Sequence, residues 1–233
     1  MKKMLLHPMF IVGLAVRLIL IVCMAPLPIT EWYAPFLDVS TSVETADPWS
    51  TWIESGGTTS AFPYGYVMWV AFLPMTLVAK FTGLSLLYAY DLTILIVDFC
   101  MLLTLHQLLP DRQRLLLFAY WLSPIIILAS YGLGLNDLIP ALLLCLSIFF
   151  VQQVKLKLAG ALLVAAISAK LSMVVALPFF VIYLFNNRPL RTRLPKFLSG
   201  FGLSILLVWV PFLFSEAGIQ MLLGNPEMGK IYQ

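Results

Sequence analysis

The sequence predicts an all-α protein, a polytopic transmembrane bundle of about seven spans with a large extracytoplasmic loop after the first. Three observations predict it. Of 233 residues, 61% are hydrophobic and only 11% are charged, whereas a soluble domain averages about 45–50% and about 25%. Mean hydropathy is +0.97. The apolar residues fall into runs at 8–28, 64–80, 83–108, 114–131, 137–153, 158–186 and 197–215, each near the roughly 20 residues that a helix needs to cross a bilayer. Strand-like alternation is absent over these lengths, and backbone exposed to lipid must otherwise close its hydrogen bonds in a helix. This composition excludes a soluble enzyme, a DNA-binding domain and a disordered regulator. The net charge of +3 is no sign of nucleic acid, because no basic stripe stands outside the loops.

The first run follows Lys2 and Lys3, contains Arg17, and is not followed by an A-x-A cleavage site. It reads as a retained span with a cytoplasmic N-terminus. No Lys or Arg occurs from residue 18 to residue 79, and five of the eleven acids lie there: Glu31, Asp38, Glu44, Asp47 and Glu54. Residues 29–63 are therefore expected outside. Within them Asp47-Pro48 reads as a helix N-cap followed by N1. Trp49, Trp52 and Ile53 share one face, and Gly56-Gly57 stops the helix. An amphipathic interfacial helix with its tryptophans at headgroup level is expected. Phe62-Pro63-Tyr64-Gly65-Tyr66 then leads into the second span.

Residues 64–186 form the helical bundle, 187–196 a basic cytoplasmic loop, 197–215 the last span, and 216–233 an outer-side tail. Counting spans this way places Arg112, Arg114, Lys155 and Lys157 outside, which the preference for cytoplasmic Lys and Arg opposes. The run 158–186 is interrupted by Lys170 and Ser172 and is the natural place for a broken helix. Cys23, Cys100 and Cys145 each sit inside an apolar run and read as small buried hydrophobes.

Charges inside apolar runs cost several kcal/mol unless paired or hydrated, so they carry the functional information. They are Arg17, Asp91, Asp98, Asp137 and Lys170. Asp91 and Asp98 share a helical face, and Arg17 has either as a partner; a structural Arg17–Asp98 ion pair is the plain alternative to function. Lys170 lies deep in its run and suits an anion such as a lipid phosphate. Asp38, between Phe36-Leu37 and Val39, has the partly shielded setting of a general base, against the plainer reading of a solvated loop acid. No HExxH, GxSxG, Walker loop or GxGxxG is present. His7 and His106 are single and far apart, so no metal site is expected from histidine.

The order of these features resembles the GT-C class of membrane glycosyltransferases, which use polyprenyl-phosphate sugars. Trp121-Leu122-Ser123-Pro124, then Gly134-Leu135-Asn136-Asp137-Leu138, is similar to the "W-x-N/S-P … G-x-x-D" region of its mannosyltransferase-like branch. Ala169-Lys170-Leu171 before Pro178 resembles that branch's "Lys-x-x-Pro" stretch, with Ser172-Met173 where a Tyr-Pro pair is usual. The resemblance implies an inverting transfer of a sugar from a polyprenyl-phosphate donor to an acceptor at the extracytoplasmic face of a bacterial inner membrane. It implies Asp38 as general base, Lys170 and Arg17 on the lipid phosphate, and Asp137 with Asp47 positioning substrate. Membrane lipid, the donor and a second membrane subunit are the implied partners. No cofactor is implied. A divalent metal is the alternative, and a single Asp38 in place of D-x-D does not support it. The chain reads as a minimal or truncated form of the class. A small transporter or flippase for an amphiphilic anion, resting on Asp91, Asp98 and Lys170, and a non-catalytic subunit are the competing readings.

Overall fold

The structure is a computed structural model that describes residues 2–42 and 47–224; Glu44 and the tail from residue 225 lie outside them. Among the described residues twelve helical segments follow one another: α1 Pro8–Cys23, α2 Pro28–Ser40, α3 Pro48–Glu54, α4 Tyr66–Thr82, α5 Leu86–Leu108, α6 Pro110–Trp121, α7 Pro124–Gly132, α8 Leu138–Gln152, α9 Leu156–Ala169, α10 Leu171–Asn186, α11 Leu194–Leu213 and α12 Glu216–Leu223. Short turns at Lys2–Leu5 and Arg188–Arg191 accompany them. The described residues contain no strand, so the protein is all-helical.

By length and apolarity, α5 and α11 suffice to cross a bilayer alone. The pairs α1–α2 and α6–α7, bent by 59° and 48°, each suffice as one broken span. This gives two to four candidate spans among the described residues rather than seven full-length ones. α4, α8, α9 and α10 are apolar but shorter, at 10–17 residues. The run 158–186 does break at the expected place. Lys170 is extended (φ −151°, ψ 118°) and separates α9 from a tight turn over Leu171–Val175 that opens α10.

Three buried cores order the bundle. The first gathers Ile21, Ile29, Tyr33, Phe36, Trp49, Phe62, Tyr90, Leu138, Ala169 and Phe212. The second holds Val151, Leu156, Leu184, Leu190 and Phe197, and the third Phe10, Leu102, Leu117 and Trp121. α1, α9 and α11 climb toward the first core, whereas α5 and α8 descend from it. The bundle thus has a first-core end and an opposite end.

This ordering also shows where α4 lies. α4 does not pass from one end to the other. In its first turn Trp69 Nε1 donates to Ser40 Oγ at 3.1 Å, and in its last turn Lys80 Nζ donates to the Asp38 carbonyl and to Ser42 Oγ, both at 2.7 Å. Both ends of α4 are therefore tied to residues 38–42. Gly83 (φ +74°), a left-handed position that suits glycine, turns the chain directly into α5. Arg112 and Arg114 then line a cavity with His7, beside the start of α1. At the foot of α9, the Lys157 carbonyl lies where a Cβ on Gly200 would stand. The same holds for Gly160 against the Phe197 carbonyl. Only glycine permits this close crossing of α9 and α11.

Residues 29–63 are not an open loop. α2 and α3 fill much of the segment and pack into the first core. The helix at Asp47-Pro48 forms as expected: Asp47 Oδ1 accepts from the Trp49 and Ser50 amides at 3.1 and 3.2 Å, and Gly56 (φ +86°) follows its end. Its tryptophans do not face the headgroups. Trp49 is 0% and Trp52 8% exposed. Trp49 meets Tyr66 and Phe212 edge-on and donates from Nε1 to the Phe62 carbonyl at 3.3 Å. Trp52 Nε1 donates to the Thr58 carbonyl at 2.9 Å. The apolar face of α3 finds protein instead of lipid, because α11 and the Phe62 segment lie against it.

Candidate functional site

The helix break brings two expected site residues together at the first-core end. α9 stops at Ala169, and its ladder closes with the Lys170 amide donating to the Ala166 carbonyl at 3.0 Å. The extended Lys170 then sends its side chain to Asp137, where Nζ and Oδ1 form an ion pair. Asp137 sits just before α8, at the end of a turn that needs Gly134 at φ +71°. A Cβ on Gly134 would approach Ile29 Cγ1 to 2.7 Å, so this turn is seated on the start of α2. The pair is open to the surroundings: the Lys170 and Asp137 side chains are 32% and 50% exposed. Lys170 is thus not buried mid-helix, because α9 ends there.

Three tyrosines flank this pair, and of them only Tyr64, in the approach to the second span, is singled out by the sequence. The Tyr33 and Tyr64 hydroxyls share a hydrogen bond at 3.2 Å. Tyr33 stacks on Tyr90 at 5.4 Å, and Tyr90 donates to the Gly134 carbonyl at 2.9 Å. Both Tyr33 and Tyr90 lie within electrostatic range of Asp137. The Gly65 amide donates to the Ser168 carbonyl at 3.0 Å, and a Cβ there would come within 2.6 Å of Ser168 Oγ. Tyr64 is therefore fixed two residues upstream of α4, on the helix end that carries Lys170. Of the three, only Tyr64 stands at the end of an apolar run; no local signal singles out Tyr33 or Tyr90.

Asp38 stands five residues beyond Tyr33 on α2, with its side chain 58% exposed. Lys80 holds it at 3.1 Å. Asp47 is committed to the cap of α3: besides the two amides it accepts from Ser50 Oγ at 2.7 Å and from Ser215 Oγ at 2.9 Å. It ties α3 to the start of α12, and this structural work accounts for it without substrate.

Arg17 has a different setting from that expected of a lipid-phosphate group. It is 0% exposed and pairs with Asp98 Oδ2 at 2.6 Å. Its Nη1 donates to the carbonyls of Gly13 and Trp121 at 3.0 and 2.7 Å, and its guanidinium lies 3.8 Å from the Trp121 ring centroid. Asp98 also accepts from Tyr120 at 2.6 Å and Tyr131 at 2.9 Å. Arg17 thus ties α1, α5 and the bent α6–α7 pair together, and the geometry favours the structural ion pair over contact with a lipid headgroup. The Trp121-Leu122-Ser123-Pro124 segment makes the bend that presents the Trp121 carbonyl to Arg17. Asp91, two turns before Asp98 on the same face of α5, is 2% exposed and its Oδ1 accepts no hydrogen bond among the described residues.

Among the described residues no three His, Cys, Asp or Glu side chains stand together as metal ligands. No known family model matches the chain, and no curated protein or solved structure does.

Proposed function

We propose that this chain is a membrane glycosyltransferase that moves a sugar from a polyprenyl-phosphate carrier to an acceptor hydroxyl, with inversion. The observation that carries the reading is the half-exposed Lys170–Asp137 pair at a helix break, beside the Tyr33 and Tyr64 hydroxyls. An apolar cleft of about 320 Å³, lined by Val164, Ile167, Val174, Leu177, Ile205 and Trp209, runs along the α9–α10 break. It supports a prenyl tail whose phosphate reaches Lys170. In the transfer the acceptor oxygen attacks the anomeric carbon and the bond from that carbon to the phosphate oxygen breaks. The electron pair leaves on the phosphate, where the Lys170 ammonium stabilises the growing charge. The acceptor proton passes to Asp38. Asp137 holds Lys170 in place, and the tyrosine hydroxyls are placed to orient sugar hydroxyls.

The reading includes a membrane orientation. With α4 lying at one end, seven passages remain: α1, α5, α6–α7, α8, α9, α10 and α11. A cytoplasmic N-terminus then leaves Arg112, Arg114, Lys155, Lys157 and residues 188–196 inside, and Asp38, Asp137 and Lys170 outside, in accord with the distribution of Lys and Arg in membrane proteins. The shorter helices are accommodated by local thinning of the bilayer. The plasma membrane is the proposed location, and a second membrane subunit the proposed protein partner.

The test is transfer from radiolabelled polyprenyl-phosphate sugars to a range of acceptors in proteoliposomes. Wild type transfers label, and Asp38→Asn lowers the rate at least about a hundredfold; full transfer by Asp38→Asn removes the base assignment. The buried Asp91, whose Oδ1 has no hydrogen-bond partner among the described residues, favours a second reading, an anion transporter. Counterflow across the liposome membrane without sugar transfer decides for it.

A further inference from the structure

The opposite end of the bundle carries a charge imbalance that the transferase reading does not use. From residue 138 to residue 215 the sequence holds seven Lys and Arg residues and no Asp or Glu. Lys170 belongs to the outer site. The other six, Lys155, Lys157, Arg188, Arg191, Arg193 and Lys196, are exposed around the second core. None of the six makes an ion pair among the described residues. Two rest on aromatic faces instead: Lys155 Nζ is 5.7 Å from the Phe150 ring centroid, and the Arg191 guanidinium is 4.1 Å from that of Phe185.

A groove opens beside them. Ile148, Val151 and Gln152 of α8 face Phe179, Phe180 and Tyr183 of α10 across about 320 Å³ of apolar space. A second cavity of about 440 Å³ continues from Phe179 and Ile182 to Asn186 and Asn187. Each wall of the groove ends at a cation: Lys155 follows Gln152 by three residues, and Arg188 follows Asn187. Leu156 and Leu190, the neighbours of Lys155 and Arg191, pack in the same core. Both basic turns therefore flank the same core, each at the end of a helix that walls the groove.

We propose that this groove is a binding site for an anionic glycerophospholipid, with one acyl chain between α8 and α10 and the phosphate among Lys155, Arg188 and Arg191. Charge complementarity selects the occupant. Cations with no internal counter-ion attract anionic headgroups near a membrane surface, and the adjoining apolar space takes a chain that inorganic phosphate lacks. The proposal does not rest on the transferase reading, because it concerns the other end of the molecule and its readout is lipid binding.

The experiment uses the full chain, purified in detergent and delipidated, and titrated with phosphatidylglycerol, with phosphatidylcholine of the same chains, or with inorganic phosphate. Native mass spectrometry and the thermal midpoint are read together. Phosphatidylglycerol is retained at one per chain and raises the midpoint; phosphatidylcholine and inorganic phosphate do neither. The triple variant Lys155→Gln/Arg188→Gln/Arg191→Gln binds phosphatidylglycerol at least about tenfold more weakly. Its lipid-free midpoint matches wild type, which separates lost binding from lost folding. Ile148→Trp, which fills the groove and keeps every charge, also weakens retention. Equal retention of the two lipids, protection by inorganic phosphate alone, or undiminished binding by the triple variant overturns the proposal.

Discussion

Two ion pairs divide this molecule, and they differ in almost everything except their charges. Arg17–Asp98 has no exposure on either side chain, and its members are joined by two tyrosine hydroxyls, two backbone carbonyls and the face of an indole. Lys170–Asp137 is a single contact between half-exposed side chains at a helix break. The first is enclosed by its surroundings, because a charge deep in an apolar bundle is costly unless it is paired and hydrogen-bonded; of the Arg17 nitrogens only Nη2 lacks a partner among the described residues. The second remains open to another ligand. Guanidinium suits the first role, with a planar fork that reaches a carboxylate and two carbonyls at once; an ammonium on a flexible stem suits the second.

Breaking the closed pair has the largest expected effect on folding. Arg17→Met leaves Asp98 buried without its cation and costs about 3–5 kcal/mol. Thermal unfolding in detergent shows it as a fall in midpoint and in folded yield, and Arg17→Met/Asp98→Asn recovers part of the loss. The open pair behaves in the opposite way. Lys170→Ala changes stability by no more than about 1 kcal/mol, as expected of an exposed pair; under the proposed transferase function it lowers sugar transfer about 10²- to 10³-fold through lost stabilisation of the leaving phosphate. Gly65→Ala tests the frame around that pair. Its Cβ meets Ser168 Oγ and carbonyl at 2.6 and 2.7 Å, so the start of α4 must shift away from the end of α9, at about 1–3 kcal/mol. Asp47→Ala has the smallest effect, about 1 kcal/mol for a lost cap, and leaves transfer unchanged in the same assay.

Local chemistry was legible in the sequence; the partners of each surface were not. The cap at Asp47-Pro48 and the stop at Gly56 follow from backbone preferences that act within a few residues. The break at Lys170 was legible for a related reason, since a cation amid an apolar run marks the place where a helix is easiest to end. The destination of Trp49 depends on Phe212 of α11, more than 140 residues away in the sequence, and that of Trp52 on Phe36 of α2, so an amphipathic face could not declare whether lipid or protein covers it. α4 shows the same limit: a largely apolar helix of seventeen residues reads as a crossing, yet Trp69 and Lys80 tie both of its ends to residues 38–42. The Lys170–Asp137 contact joins residues 33 positions apart, and no periodicity in the sequence encodes it.

Exchanging the members of the open pair tests the division most directly. The double variant Lys170→Asp/Asp137→Lys keeps an ion pair across the same gap, and its thermal midpoint and sugar transfer are measured together in proteoliposomes. A midpoint within about 1 kcal/mol of wild type in stability, with transfer still reduced at least about a hundredfold, is the predicted result. Recovery of transfer to the wild-type rate on exchange would contradict it, because the pair would then be serving only as a brace between α8 and α9.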